Sequence, residues 1–380
     1  MRNTMIGIAL LGVGFFLLPE HVQMGLKHNF ADVDDYKLFS HTSIHKSDHP
    51  KPWPVSENYN KKSPAKELID FFDERKTGAF LVIKDGKILY ERYAQEYDKE
   101  TLSGSFSMAK TVNALLIGKL AEQGKVSLEE DVKRYVPQLT HIPEGRLKLK
   151  DVITMSANFD WEESYWNIFS MTAESYYGSD LDKLMGKLRL RNDHQEGKLF
   201  EYQSCCTQIL GYVIKNVTRK SLAENAQEYL WQPLGAESDA LWSTDKNGME
   251  KSFCCINATA RDFARLGQMV LQHGKWDSVQ VIDSAYIAAM TTPAAYLKDA
   301  RGFTCDWYGY QTWMINYKSH QIPYFRGILG QFIFVVPDEN AVIVRLGKKI
   351  KKDPNDPHMQ NDDIRNYIEA GLQVLDDKPL

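Results

Sequence analysis

Apolar positions recur along this chain with two periods, and the switches between them outline its elements. Leu68, Ile69, Phe71 and Phe72 follow Ser63-Pro64 at helical spacing, which predicts a helix over Ser63–Glu74 with the serine as its cap. Gly78-Ala-Phe-Leu-Val-Ile and Ile88-Leu-Tyr-Glu-Arg-Tyr are joined through Asp85-Gly86, the signature of a hairpin. A long apolar helical run then opens at Ser107 and continues through Val112, Leu115, Leu116, Ile117 and Leu120. Residues 126–272 mix helical and loop sequence, with helices predicted at Asp151–Met155, Thr207–Val217 and Ala260–Leu271. Strand signals return at Trp307–Trp313, Gln331–Val336 and Ala341–Leu346, the last two separated by Pro337-Asp-Glu-Asn as a hairpin loop would be. A helix over Asp362–Leu375 closes the chain. This order predicts an α+β fold: an antiparallel sheet flanked by terminal helices, beside a mostly helical lobe at about 126–272.

The first 62 residues follow neither period. Arg2 precedes an apolar stretch from Met5 to Leu18 that ends at Pro19-Glu20. It is shorter than the roughly 20 residues of a full span and fits the apolar region of a signal peptide, although no Ala-x-Ala cleavage site follows. Residues 1–18 are therefore expected to act as a signal peptide or a signal anchor. The product would be periplasmic, or held at the inner membrane through residues 5–18 with its main domain outside the cytoplasm. Residues 19–62 read as a polar connector, and residues 63–376 as the folded domain. Within the connector His41, His45 and His49 share a helical spacing, but Pro50, Pro52 and Pro54 argue against a helix there. No metal site is expected.

Composition narrows the function classes. A net charge of −4 and a pI near 6.2 provide no basic field, so nucleic acid is not an expected partner. No glycine-rich phosphate loop, H-E-x-x-H or C-x-x-C is present, and no cofactor is implied. The 5 cysteines fall as Cys205-Cys206, Cys254-Cys255 and Cys305. A bridge between the two pairs is possible, a vicinal bridge would be strained, and the preferred reading is small buried hydrophobes. Nothing in the sequence speaks to oligomeric state.

The chemistry concentrates at Ser107-Met-Ala-Lys110. Residues at i and i+3 share one helical face, so Lys110 Nζ can approach Ser107 Oγ. An amine whose pKa is lowered by burial can take the hydroxyl proton and make the serine a nucleophile. Three other Ser-x-x-Lys matches, at Ser43, Ser63 and Ser243, lack a long apolar helix behind them or sit at a cap or turn.

Further segments occur in order: Phe106-Ser-Met-Ala-Lys-Thr111, Phe200-Glu-Tyr-Gln-Ser204 with Thr207-x-x-Leu-Gly-Tyr212, Asn257-Ala-Thr-Ala-Arg-Asp262 with Ala264-Arg-Leu-Gly267, and Gly327-Ile-Leu-Gly-Gln331. Trp231-Gln-Pro-Leu-Gly235 adds a further match. Over Ile69–Gly347 the chain resembles the penicillin-recognising serine hydrolases, in the class C β-lactamase-like branch that holds the aminohexanoate-dimer hydrolases and related esterases. The resemblance implies the α/β sandwich of β-lactamases and DD-peptidases. It implies Ser107 as nucleophile, Lys110 as its partner, and Tyr202 as the tyrosine of the Tyr-x-Asn element, with Ser204 in the last place of that element. Which of Lys110 and Tyr202 acts as base is left open.

In the third family element Ile328-Leu329-Gly330 stands where Lys/His-Thr/Ser-Gly is usual. Gly330 would let the strand approach the site, and the Gln331 N–H would join the Ser107 N–H as an oxyanion hole. Loss of the cation that holds a β-lactam carboxylate argues against penicillin turnover, and Arg326 is expected at the rim. Trp161 and Tyr165, in Asp160-Trp-Glu-Glu-Ser-Tyr165, are candidates for the substrate pocket together with Ser204 and Gly330. Arg261 and Asp262 read as a structural ion pair, and Arg345 as the partner of a carboxylate or a carbonyl. The expected function is an exported serine hydrolase that cleaves a small amide or ester through an acyl-enzyme on Ser107. The alternatives are an acylated sensor or binding protein without turnover, and a β-lactamase or D-peptidase.

Overall fold

A computed structural model describes residues 16–351 and 360–376. Most of the expected signal segment, residues 1–15, thus lies outside the described residues. No helix among the described residues is long and apolar enough to cross a membrane.

The core is a six-stranded antiparallel sheet in the order Lys87–Tyr93, Thr77–Lys84, Ala341–Gly347, Gln331–Val336, His320–Gly327, Trp313–Tyr317. Its central strands carry unbroken apolar runs because both faces are covered: every residue of Gln331–Val336 and Ala341–Gly347 is buried. One face receives the helices Lys66–Glu74 and Asp362–Leu375, where Phe72 packs 4.6 Å from Phe80 and stacks on Tyr367 at 5.5 Å. The other face receives Ala260–Leu271. Gly267 permits that approach, since a Cβ there would lie 2.6 Å from Ile333 Cγ2. The antiparallel sheet, terminal helices and helical lobe agree with the α+β expectation. The Asp85-Gly86 turn also forms as expected, with both residues left-handed at φ 51° and 72°.

Several local expectations fail for identifiable reasons. The first helix of the domain begins at Lys66 with Ala65 at its cap, so Ser63 does not serve that role. Trp307–Trp313 is not a strand. It bends at Gln311 (φ 49°), and regular pairing starts only at Trp313. The intervening strand His320–Gly327 is not among the strands that the apolar pattern marks. Arg261 and Asp262 do not pair with each other: Arg261 binds Glu91 at 2.6 Å, and Asp262 binds Arg265 at 3.1 Å. Arg345 resolves in favour of carbonyls, donating to Leu329, Gly330, Arg75 and Lys349.

Residues 19–62 hold more structure than a polar connector. Glu20–His28 is a helix packed on Met171–Tyr177, and His41–Ile44 pairs with Ala240–Ser243. Val22, Val33, Ile44 and Trp53 bury their side chains, and four such anchors suffice to hold a mostly polar segment against the domain. Among the cysteines, Cys205, Cys206 and Cys305 are free and buried, as small hydrophobes. Cys254 and Cys255 depart from that reading: they form a vicinal disulfide, with Cys255 left-handed at φ 76°.

Candidate active site

Ser103–Gly104 pairs with Ile256–Ala258 in a second, small sheet and delivers the chain to Ser107. The Ser105 hydroxyl accepts from the Ile256 N–H at 3.1 Å, which pins the turn to that sheet. Phe106 then takes a left-handed conformation, φ 43°, unusual for a bulky side chain and a mark of a turn over-determined by its surroundings. Ser107 occupies the N-cap of Met108–Glu122, yet its side chain makes no capping hydrogen bond. The role that competes most often for a helix-start serine is therefore vacant, and the hydroxyl is left for other partners.

Its partner is Lys110. That side chain is 2% exposed, and its Nζ lies 3.1 Å from Ser107 Oγ, 3.1 Å from Ser204 Oγ and 2.8 Å from the Phe253 carbonyl. Burial lowers the Lys110 pKa to about 8, with Glu163 pulling it back only in part. In the neutral amine, two N–H bonds can serve Ser204 and Phe253 while the lone pair faces the Ser107 hydroxyl.

Tyr202 lies within hydrogen-bonding reach of Ser107, and its ring is 5.2 Å from Lys110 Nζ. Burial, and after it the Glu163 charge, push its phenol well above the ordinary range, so it is a proton donor at neutral pH.

Glu163 escaped the sequence reading. It accepts from the Ser204 hydroxyl at 2.6 Å and N–H at 2.7 Å, from Trp161 Nε1 at 2.8 Å and from the Tyr165 hydroxyl at 2.8 Å. These bonds turn the Ser204 lone pairs toward Lys110. Trp161, expected in the pocket, is buried and holds this carboxylate instead. Tyr165 and Ser204 do line the cavity beside Ser107. The only sequence signal for Glu163 was an acid set between two aromatic residues.

The third element is arranged differently from expectation. The strand ends at Gly327, and Ile328–Gly330 is a turn in which Leu329 (φ 60°) and Gly330 (φ 87°) are left-handed. Gly327 is the residue against the serine turn, since a Cβ there would lie 2.2 Å from the Ser105 carbonyl and 3.1 Å from Phe106 Cβ. Ile328 and Leu329 line the cavity with Ser107. Gln331 instead pairs with Gly327 across the hairpin and buries its amide on Gly347, while Gly330 packs on Arg345. Gly327 at the serine turn thus brings Ile328, rather than Gln331, to the cavity beside Ser107, because a tripeptide read as strand is a turn. Arg326, expected at the rim, stands half-buried with its guanidinium 4.9 Å from the Trp313 ring, and its buried Nη1 has no hydrogen-bond partner among the described residues.

The family model described as Beta-lactamase matches residues 65–363. A 6-aminohexanoate-dimer hydrolase of Paenarthrobacter ureafaciens is 26% identical over 296 residues, which cover 74% of each chain. Among solved structures, a putative 6-aminohexanoate-dimer hydrolase from Bacillus anthracis superposes with a TM-score of 0.74 at 22% identity, covering 90% of this chain and 93% of that one. A class C beta-lactamase superposes with a TM-score of 0.60 at 18% identity, covering 83% and 95%.

Proposed function

The chain belongs to the beta-lactamase family of serine hydrolases, and on that premise we propose that it cleaves a small amide or ester through an acyl-enzyme on Ser107. The observation that carries this reading is the Lys110 amine, buried, 3.1 Å from an uncapped Ser107 hydroxyl and supplied with two other acceptors.

Ser107 Oγ bonds the carbonyl carbon while its proton passes to Lys110 Nζ. The oxyanion that forms is met by the Ser107 and Ile328 N–H groups; one such donor is worth about 3–4 kcal/mol in the transition state. As the bond to the leaving group breaks, Tyr202 protonates the departing nitrogen or oxygen and recovers a proton from the Lys110 ammonium. Water then attacks the acyl carbon as Lys110 takes its proton, and the Lys110 ammonium returns that proton to Ser107 Oγ as the acyl–oxygen bond breaks. With Tyr202 held as a neutral phenol, Lys110 is the base in this scheme.

Arg326 favours a second, narrower reading. A cation that stacks on Trp313 with a buried Nη1 lacking a hydrogen-bond partner among the described residues, close enough to act on Tyr202, suits a leaving group that carries a carboxylate, as in a peptide-like amide. Met5–Leu18, behind Arg2, we read as an export signal or anchor. Periplasmic fractionation followed by N-terminal sequencing tests this, and a cytoplasmic product would contradict it.

Fluorophosphonate labelling and turnover of p-nitrophenyl acetate provide the main test of the acyl-enzyme. Ser107→Ala is expected to abolish both. Labelling that persists in the variant would remove Ser107 from the mechanism, and a burst of one equivalent without steady turnover would favour an acylated sensor.

A further inference from the structure

The cavity at Ser107 has a volume of about 340 Å³ and an apolar lining in which Phe30, Trp166, Ile168, Tyr176, Tyr177 and Leu329 are prominent. No Asp, Glu, Lys, Arg or His lines it among the described residues. Tyr202, the donor to the leaving group, is not among its walls either, so the cavity receives the part of the substrate that stays on the serine.

One wall comes from outside residues 65–363, the span matched by the family model: Asn29, Phe30 and Ala31. This segment is fastened rather than draped. In the helix that leads to it, a Cβ on Gly25 would lie 3.3 Å from Ile168 Cγ2, and its Cα thus packs directly on a cavity wall. Phe30 sets its ring edge-on to Trp166 at 5.0 Å, which joins the two sides of the cavity. Beyond it, the Val33 carbonyl accepts from the Gly104 N–H at 3.2 Å, on the strand that delivers Ser107. Asp34 pairs with Lys348 at 2.9 Å, and Asp35 accepts from the Tyr176 hydroxyl at 2.8 Å.

We propose that Glu20–Ala31 completes an acyl pocket at Ser107, so that the substrate is an amide or ester of an uncharged, apolar acyl chain. This rests on the Ser107 acyl-enzyme. A substrate whose acyl part ends in a charge would have to leave that charge unpaired against aromatic walls, a strongly unfavourable burial. A neutral chain gains about fourfold per methylene placed there.

The experiment compares kcat/KM for p-nitrophenyl acetate, butyrate, hexanoate and octanoate, and for the mono-p-nitrophenyl ester of adipate, whose acyl chain carries a terminal carboxylate. Octanoate is expected to exceed acetate by at least tenfold, and hexanoate to exceed the adipate ester by at least tenfold. In Ala173→Phe, which fills the cavity from the Met171–Tyr177 helix, and in Phe30→Ala, which opens its wall, the octanoate-to-acetate ratio should fall at least fivefold. Equal values for acetate and octanoate in the wild type, with turnover still dependent on Ser107, would overturn the pocket and leave the hydrolase intact. No Ser107-dependent turnover of any ester would remove both.

Discussion

Lys110 and Lys251 are both buried, at 2% and 1% exposure, and burial lowers both pKa values, to about 8 and about 7. Their surroundings differ. Lys110 meets two hydroxyls and one carbonyl at the edge of a cavity. Lys251 donates to the Tyr176 carbonyl, lies 4.2 Å from the Phe39 ring and meets no hydroxyl among the described residues. Desolvation alone thus makes an amine that can be neutral near physiological pH, and among the described residues it does so at both lysines. What separates a candidate base from a structural cation is a hydroxyl proton within reach and a free volume beside it. A perturbed pKa identifies candidates, and geometry chooses between them.

Replacing each lysine by methionine breaks the comparison most directly. Lys110→Met should lower kcat on a short ester by about 10³-fold, within the range for loss of a positioned general base. Lys251→Met should change it by less than about threefold per folded molecule. Active-site titration alongside steady-state rates checks both values. Comparable losses in the two variants would mean that Lys110 acts through stability rather than as a base.

A smaller effect tests how Lys110 is tuned. With Lys110 as the proposed base the neutral amine is the active form, so activity should rise as pH increases through about 8. No matching fall from Tyr202 is expected at moderately alkaline pH, because its phenol is held above the ordinary value near 10. The Glu163 carboxylate raises the Lys110 pKa, so Glu163→Gln should move the rising limb to lower pH. It should also lower kcat by roughly tenfold, since the fixed Ser204 lone pair is lost. A pH–rate profile of kcat/KM measures both, and an unmoved limb would assign the limb to another group.

The same comparison shows what sequence can reveal. Ser107 and Lys110 were legible because their relation is local: three residues on one helix put the groups on one face. Tyr202 and Ser204 were legible from an ordered motif. Glu163 was not, because its four donors come from a loop and from the start of the Ser204–Thr218 helix, and no periodicity connects them. Gly327 and Gly330 are three residues apart, and spacing cannot say which approaches the serine; only the end of the strand at Gly327 decides it. The strands Gln331–Val336 and Ala341–Gly347 were plain from continuous apolar runs. His320–Gly327, with Pro323 and Arg326 inside it, broke the alternation that would have marked it. The packing of Glu20–His28 on Met171–Tyr177 joins residues about 150 apart, and a mostly polar segment gives no sign of its docking site.

The smallest effect concerns Lys251, and it appears in stability rather than rate. The Lys251 pKa falls from an ordinary 10.5 to about 7 on folding. Between those values the unfolded chain holds more protons than the native one, so this group makes the wild type more stable as pH rises from about 7 toward 10.5. Below about 7 the native state carries a buried ammonium whose hydration is only partly replaced by the Tyr176 carbonyl and the Phe39 ring. Lys251→Met removes both the proton linkage and that burial cost, at the loss of one carbonyl partner. Lys110 is unchanged in the variant, and its own linkage cancels in the difference. The advantage of Lys251→Met over the wild type should therefore be about 2 kcal/mol smaller at pH 9 than at pH 7. Urea unfolding of both proteins at the two pH values measures it, and a difference that stays constant would mean that Lys251 is charged in the native state throughout, sustained by Asp245 and Glu20.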